Sequence, residues 1–256
     1  MIMMDPETYY ECYLKGRSKE ELIQRIRSLK REINHIIFRL EAPAVAKLKY
    51  DISSCDRSPE VCEHYLEKAI QAYKESGGIY KPTRAELKVI DFDKNIPAIK
   101  EIAFKINNDI TGTETKKFTI SGDDVSFSIE HISPEGIIIS KDDSELPKIN
   151  KSNLLTKIRF FEIGKWHTYY GSERYHVVLN KGYDWSVKFS YSNGHKPYRF
   201  RGSRIYPYNF LDFAMMFDID IYGMKETLCR LGAWFCYDDL SGMMLELAFK
   251  KYGKKK

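Results

Sequence analysis

The apolar residues between positions 18 and 41 repeat in steps of four and three residues, which is the spacing of a heptad helix. Ser18 and Glu21 form a capping-box sequence at its start, and Pro43 is expected to end it. The repeating positions are Leu22, Ile26, Leu29, Ile33, Ile36 and Leu40. The pattern predicts an amphipathic helix with an apolar seam along one side.

The apolar seam of this helix has two alternative partners. It can pack on the rest of the chain, or it can associate with the seam of a second copy. The seam covers about three heptads, and only longer heptad runs indicate a coiled coil. We therefore expect packing within the chain and keep self-association through Leu22–Leu40 as the alternative.

Two further helices are predicted in the N-terminal part of the chain. Ser58 caps the first, Pro59 occupies its first turn, and Gly77-Gly78 closes it. The second is expected over Pro97–Asn107, where apolar residues recur at helical spacing. This part of the chain is therefore predicted to be helical.

The pattern changes to an alternation of apolar and polar residues after a polar stretch at Thr111–Lys117. Residues 118–129 alternate on both sides of Gly122-Asp123-Asp124, which predicts a hairpin. We therefore divide the chain into a helical region, 1–112, and a region with an antiparallel sheet and C-terminal helices, 113–256.

The clearest local signal lies between residues 185 and 201. Two alternating segments flank Asn193-Gly194, a dipeptide whose residues both tolerate the positive φ of a type I′ turn. With the turn at these residues, Phe189 pairs with Tyr198 and the aromatic side chains share one face. Pro197 has no amide hydrogen to donate, so we expect that end of its strand at a sheet edge.

Helices are also predicted around and after the strands. Leu154–Ile163 is compatible with a strand or a helix, and of the two we predict a helix. Asn209 is expected to cap another helix, and Met224–Tyr252 is mostly amphipathic and leads into a lysine-rich tail. The predicted fold class is α+β, with an N-terminal helical region followed by a small antiparallel β-sheet with C-terminal helices.

One part of the chain resembles known sequences. Its features are Trp166, Tyr169-Tyr170, the strand Trp185–Tyr191, the turn Ser192-Asn193-Gly194, Gly202-Ser203 and the exit Tyr206-Pro207-Tyr208-Asn209-Phe210. They resemble a β-hairpin module of uncharacterised proteins of Firmicutes, often encoded on mobile elements. Arg204 stands where that module usually has Asn, and Asn180-Lys181-Gly182 replaces a simpler Asp-Gly turn. The resemblance implies a hairpin fold and no known activity.

Charge and cysteine usage narrow the class of protein. The formal net charge is +5, from 41 basic and 36 acidic residues, which is a small imbalance for a dedicated nucleic-acid domain unless the charges cluster. The five cysteines are sparse and do not form a disulfide framework. The sequence shows no secretion signal and no apolar run of about 18 residues, so a cytoplasmic location and no membrane partner are expected.

No sequence pattern indicates a metal, a cofactor or a catalytic centre. Cys55 and Cys62, with His64 nearby, are more widely spaced than the usual ligand pairs of zinc sites. The sequence has neither a Gly-x-Ser-x-Gly elbow nor a P-loop or dinucleotide fingerprint. Asp91 and Asp93 form the acidic pair that best fits a divergent metal-dependent nuclease, because such chemistry needs convergent carboxylates.

The predicted hairpin has a basic outer face. In the register given above, Lys188 lies opposite Arg199, and Ser186 lies opposite Arg201. Like charges directly opposed repel each other, so a bound anion would stabilise this face. Arg204 and the C-terminal lysines could extend it. The alternative is a solvated outer face whose charges protect a sheet edge from aggregation.

These observations favour a non-enzymatic binding or accessory protein that acts on a protein partner, and the resemblance implies that it is encoded on a mobile element. A host nucleic-acid-guided defence complex would be one such target. The reasons are the abundance of aromatic residues, with 18 Tyr and 14 Phe, the heptad helix, and the lack of catalytic motifs. The alternatives are a nucleic-acid-binding protein using Lys188, Arg199, Arg201 and Arg204, and a divergent nuclease using Asp91 and Asp93.

Overall fold

A computed structural model describes most of the chain, and its contacts form two units, Met1–Tyr208 and Asn209–Lys256. The described residues are 4–41, 58–108, 112–142, 149–175 and 183–219. The first unit holds the N-terminal helices and the sheet, and the second holds one described helix. Within the described ranges, no helix is long and apolar enough to cross a membrane.

The N-terminal helices begin where their capping residues predict. The elements are α1 (Pro6–Tyr9), a π-helical turn (Tyr10–Leu14), α2 (Lys19–Glu41) and α3 (Pro59–Glu75). At the start of α2, Ser18 Oγ accepts from the Glu21 amide at 3.2 Å, and Glu21 Oε2 accepts from the Ser18 amide at 2.9 Å. At the start of α3, Ser58 Oγ accepts from the Val61 amide at 3.4 Å. Both predicted helices are confirmed.

The apolar seam of α2 packs within the chain. Five of its six predicted residues are at most 8% exposed, whereas Leu40 is 46% exposed. The first half of the seam forms one core cluster with Tyr65 and Ala69 of α3 and with Tyr9 and Leu14, and the second half packs on Cys62 of α3 in another. Self-association through the seam would require this packing to open.

A helix that the sequence analysis did not identify, α4, spans Arg84–Asn95 and begins with a capping box between Thr83 and Glu86. The prediction of a helix over Pro97–Asn107 is wrong. Instead, a short 3₁₀ turn at Ile96–Ala98 leads into strand β1, Ile99–Asn108. The chain therefore changes from helix to sheet before the predicted division at residue 112.

Strand β1 resembled a helix in sequence because of a β-bulge. The register shifts between Ile99 and Glu101 where β1 pairs with β6. Ile99 and Ile102 are therefore both buried although they are three residues apart, a spacing typical of a helix. Phe104 follows at the strand spacing of two and is fully buried. Strand pairing on both sides outweighs the weak helical pattern.

Seven strands of the described ranges form one sheet, in the order β4-β3-β2-β1-β6-β7-β5. After β1 they are β2 (Gly112–Ser121), β3 (Asp124–Ile132), β4 (Ile138–Asp142), β5 (Tyr169–Tyr170), β6 (Asp184–Tyr191) and β7 (Tyr198–Ser203). All neighbours are antiparallel except β5 and β7. The predicted α+β class is confirmed.

Both predicted hairpins are present, and the second has the predicted register. In the first, Phe118 pairs with Phe127. In the second, Phe189 pairs with Tyr198. Among the described strands, only β6 pairs with the Pro197 end of β7, because β5 pairs with Arg201 and Gly202 at the other end. That end is an edge, as expected.

The prediction of a type I′ turn at Asn193-Gly194 is wrong. Gly194 has a φ of +79°, but the φ of Asn193 is not positive. Asn193 Nδ2 donates to Asn95 Oδ1 at 2.8 Å, and the Ser192 amide donates to Ala98 O at 2.8 Å. The turn is therefore shaped by contacts with the end of α4 and the start of β1.

Helix α4 packs on the inner face of the sheet, where the core lies. Phe92 is fully buried, and its ring meets those of Phe189, Tyr198 and Phe200 edge to face at 5.2, 5.4 and 6.1 Å. The remaining helices are α5 (Lys151–Phe160), a 3₁₀ turn (Ile163–Lys165), α6 (Ser172–Tyr175) and, in the second unit, α7 (Phe210–Met216). The helices predicted near Leu154 and after Asn209 are confirmed, and Met224–Tyr252 lies outside the described residues.

Candidate nucleic-acid interface

The outer face of the sheet carries a row of basic side chains across four strands. Side chains alternate between the two faces of a strand, so residues paired directly across the ladder share a face. Lys188 of β6 pairs with Arg199 of β7 on one side and with Ala103 of β1 on the other. Ala103 in turn pairs with Lys117 of β2. Three of the four residues in this row are cationic.

A second row lies beside the first on the same face. Arg201 of β7 pairs with Ser186, Ser186 pairs with Lys105 of β1, and Lys105 pairs with Thr115 of β2. The two rows are two residues apart along each strand, which corresponds to roughly 7 Å. We call the five cations of these rows the basic face. Its members are Lys105, Lys117, Lys188, Arg199 and Arg201.

The cations of the basic face are open to solvent and lack acidic partners. Lys105, Arg199 and Arg201 are exposed, and Lys117 and Lys188 are half-buried. Among the described residues, none of the five forms an ion pair. No acidic side chain of the described residues therefore neutralises them, and their charge is available to a bound anion.

Acidic residues lie at the borders of the basic face. Glu101 occupies the neighbouring row, where its Oε1 accepts from Ser190 Oγ at 3.3 Å. Asp184 pairs with Ser203 at the far end of the β6–β7 hairpin. Glu130 of β3 lies beyond Thr115. The positive charge is therefore concentrated on the central strands.

The buried inner face holds these strands in a fixed register. The inner-face neighbours of the basic residues are fully or almost fully buried: Ile102, Phe104, Phe118, Val187, Phe189 and Phe200. A slip of one residue would move all of them to the solvent side, so the register is strongly specified. The positions of the outer cations follow from it.

An exposed aromatic residue lies at the β5 edge of the basic face. Tyr169 pairs with Arg201 in the parallel β5–β7 ladder and is 45% exposed. The guanidinium carbon of Arg201 lies 5.2 Å from the centre of the Tyr169 ring, within the range of a cation–π contact.

Three of the four predicted binding residues lie together, and the fourth does not. Lys188, Arg199 and Arg201 share the outer face in the predicted register. Arg204 is half-buried and lies beyond the end of β7, where its amide donates to Tyr183 O at 3.0 Å. The C-terminal lysines lie outside the described residues.

Sequence reasoning missed three residues of this surface. Lys105 lies in the stretch predicted to be a helix, and Lys117 lies in the stretch taken as the boundary between the two regions. Tyr169 belongs to a strand of two residues, which is too short to produce a pattern. The alternation of Ile102, Phe104 and Ile106 was the signal that could have revealed the strand containing Lys105.

The acidic pair of the nuclease hypothesis does not converge. Asp91 Oδ2 accepts from Tyr198 Oη at 2.6 Å and hydrogen-bonds His195 Nε2 at 3.0 Å, and these contacts hold the pKa of Asp91 below its usual value. Burial and the nearby Glu162 carboxylate raise the pKa of Asp93. The two carboxylates therefore have different surroundings. Within the described ranges, no group of three or more His, Cys, Asp or Glu residues could hold a metal ion.

The cysteines also give no sign of a zinc site within the described ranges. Cys62 is fully buried in the α2–α3 packing, and His64 lies 3.5 Å from Glu67 on the exposed side of α3. Cys55, Cys229 and Cys236 lie outside the described residues.

No protein-family model matches the chain, and neither the curated proteins nor the solved structures give a significant match. The resemblance of residues 166–210 to the Firmicutes hairpin module stays a prediction.

Proposed function

We propose that the protein binds nucleic acid through the basic face. The observation that carries the proposal is the arrangement of its five cations in two adjacent rows, without acidic partners among the described residues. Lysine and arginine side chains that neutralise phosphates release the counterions of the nucleic acid, and this release is a main source of affinity.

The composition of the basic face favours nucleic acid over an acidic protein surface. The centre of a protein–protein interface is usually aromatic or apolar and poor in charge. Here the central positions are Lys188, Ser186, Lys105 and the small Ala103. Protein–nucleic-acid interfaces are more polar and more positive, which agrees with this surface.

The arrangement of the aromatic residues gives less support to a protein partner. The abundance of aromatic side chains was one reason to expect such a partner. In the β6–β7 hairpin, Trp185, Phe189 and Phe200 are at most 3% exposed and belong to the core. The heptad seam is also largely buried within the chain. A protein partner therefore becomes the second outcome of the test below.

The test measures binding of labelled single- and double-stranded DNA and RNA by fluorescence anisotropy, at about 50 and about 200 mM salt. We expect affinity to fall steeply with salt. The double variant Arg199→Ala/Arg201→Ala should bind at least about tenfold more weakly at low salt. Its slope of log affinity against log salt should be smaller by about two, since each lost phosphate contact removes about one.

A matched control removes two exposed arginines from another surface. Arg27 and Arg31 lie on the exposed side of α2, and Arg27→Ala/Arg31→Ala lowers the net charge by the same amount. This control should keep most of the affinity. Equal weakening by the two double variants would indicate non-specific attraction and contradict the proposal. Absence of binding at low salt would also contradict it and would make a protein partner the next hypothesis.

A further inference from the structure

Tyr169 and Arg201 form a contact pair at one end of the basic face. The phenol ring is partly exposed, the guanidinium is exposed, and the two groups lie 5.2 Å apart, measured from the guanidinium carbon to the ring centre. Arginine planes and tyrosine rings are the groups on which proteins stack unpaired bases. The pair therefore combines two surfaces of the kind that an unpaired base recognises.

The ring of Tyr169 packs close to the backbone of Gly171, in space that a side chain there would occupy. A Cβ atom added there would lie 2.5 Å from Tyr169 Cε1 and 2.3 Å from Glu173 Oε2, well inside van der Waals contact. The ring thus lies directly against the backbone on the Gly171 side. An exposed tyrosine held in this way loses little further rotamer freedom when a base stacks on it.

We propose that the Tyr169 ring, with the Arg201 guanidinium packed beside it, stacks a base of a single-stranded nucleic acid, while the cations of the basic face, Arg201 included, contact its phosphates. The inference rests on the proposed function and names the form of nucleic acid that the surface selects. In a duplex the bases are stacked and paired inside the helix, so a flat outer sheet face would contact mainly their phosphates. Selection of single strands therefore depends on stacking at Tyr169 and Arg201 and not on the phosphate contacts.

The test compares Tyr169→Ala with Tyr169→Phe, using labelled single strands and the corresponding duplexes. The wild-type protein should bind single strands more tightly than duplex at the same salt concentration. Tyr169→Ala should weaken single-strand binding about tenfold and leave duplex binding unchanged. Its salt dependence should equal that of the wild type because no charge is removed, and Tyr169→Phe should retain the affinity since the ring remains.

A second variant and a spectroscopic signal separate stacking from a folding defect. Gly171→Ala keeps Tyr169 but displaces its ring, so it should lose single-strand affinity in the same way. An oligonucleotide containing 2-aminopurine should lose fluorescence on binding to the wild type and to Tyr169→Phe, but much less on binding to Tyr169→Ala. Circular dichroism of each variant verifies the fold.

The outcomes distinguish the two proposals. Binding that requires Arg199 and Arg201 but not Tyr169, or a preference for duplex, would overturn the stacking inference and leave the proposed function standing. Failure to bind any nucleic acid would overturn both.

Discussion

Arg204 has a backbone conformation that is unfavourable for arginine. Its φ is +60°, in the left-handed region, and the hydrogen bond from its amide to Tyr183 O holds it there. A Cβ atom in this region lies too close to the following carbonyl oxygen, and Asn tolerates the conformation better than most residues.

We therefore expect Arg204→Asn to be more stable than Arg204→Ala by about 1 kcal/mol. The two variants lose the same charge and the same side-chain contacts, so the comparison isolates the backbone preference. Urea unfolding followed by circular dichroism measures the difference. Equal midpoints would show that the left-handed conformation costs nothing here.

At the scale of elements, α2 and α4 are joined by a hydrogen-bonded ion pair. Lys30 Nζ lies 2.9 Å from Glu86 Oε1, and Tyr80 Oη donates to the same oxygen at 2.5 Å. Glu86 also caps α4 through Thr83. Partial burial disfavours the charged carboxylate, but the hydrogen bonds from Lys30, Tyr80 and Thr83 outweigh it and lower the pKa of Glu86 to about 2.

This pKa predicts how stability depends on pH. A carboxyl whose pKa is lower in the folded state stabilises the fold above its unfolded value, here 4.5, and loses that contribution as the pH falls toward 2. Glu86→Gln should be less stable than the wild type by about 1–2 kcal/mol at neutral pH. The difference should shrink between pH 4.5 and pH 2. Denaturant unfolding across this range measures it.

A control for this prediction is Glu67→Gln on the exposed side of α3, where the Glu67 side chain is 77% exposed. Its stability should stay within about 0.5 kcal/mol of the wild type at every pH. A Glu86→Gln effect that persisted unchanged at pH 2 would show that the carboxylate charge is not its source.

Elements that depend on neighbouring residues could be predicted from the sequence, and those that depend on distant pairing could not. The capping box at Ser18, the seam of α2, the existence of both hairpins and the register of the β6–β7 hairpin follow from local spacing. Strand β1 was missed because the bulge places the buried Ile99 and Ile102 three residues apart, and this helix-like spacing obscured the alternation of Ile102, Phe104 and Ile106. The site divides in the same way. Lys188, Arg199 and Arg201 belong to one hairpin, whereas Lys105 and Lys117 join them only through β1.

At the scale of the whole molecule, the protein has a modest net charge, but its basic face concentrates like charges that repel one another. The net charge of +5 is small because acidic residues elsewhere balance the cations. Lys188 nevertheless lies directly opposite Arg199, with Lys117 in the same row. Cross-strand pairs of like charge are destabilising. We therefore expect the free protein to be less stable than a variant in which this pair is not repulsive.

Lys188→Thr should therefore raise the stability of the free protein while weakening its binding to nucleic acid. We expect a gain of about 0.3–0.5 kcal/mol at low salt, because one repulsive pair is removed. High salt screens the repulsion between Lys188 and Arg199 in the wild type. The electrostatic part of the stability gain should therefore vanish at about 1 M salt. Thermal unfolding at both salt concentrations measures it. A gain that did not change with salt would come from the strand preference of threonine instead.

The position of β1 between β2 and β6 has a consequence for the order in which the sheet forms. The β2–β3 and β6–β7 hairpins each close a short loop, which is fast. Ile106 pairs with Trp185 only after the whole segment holding β2 to β5 has been brought back to β6. Contacts so distant in sequence have a large loop-closure entropy and slow folding. Pairing of β1 with β6 is thus the step at which two independently nucleated halves become one sheet. The basic face exists only after that step.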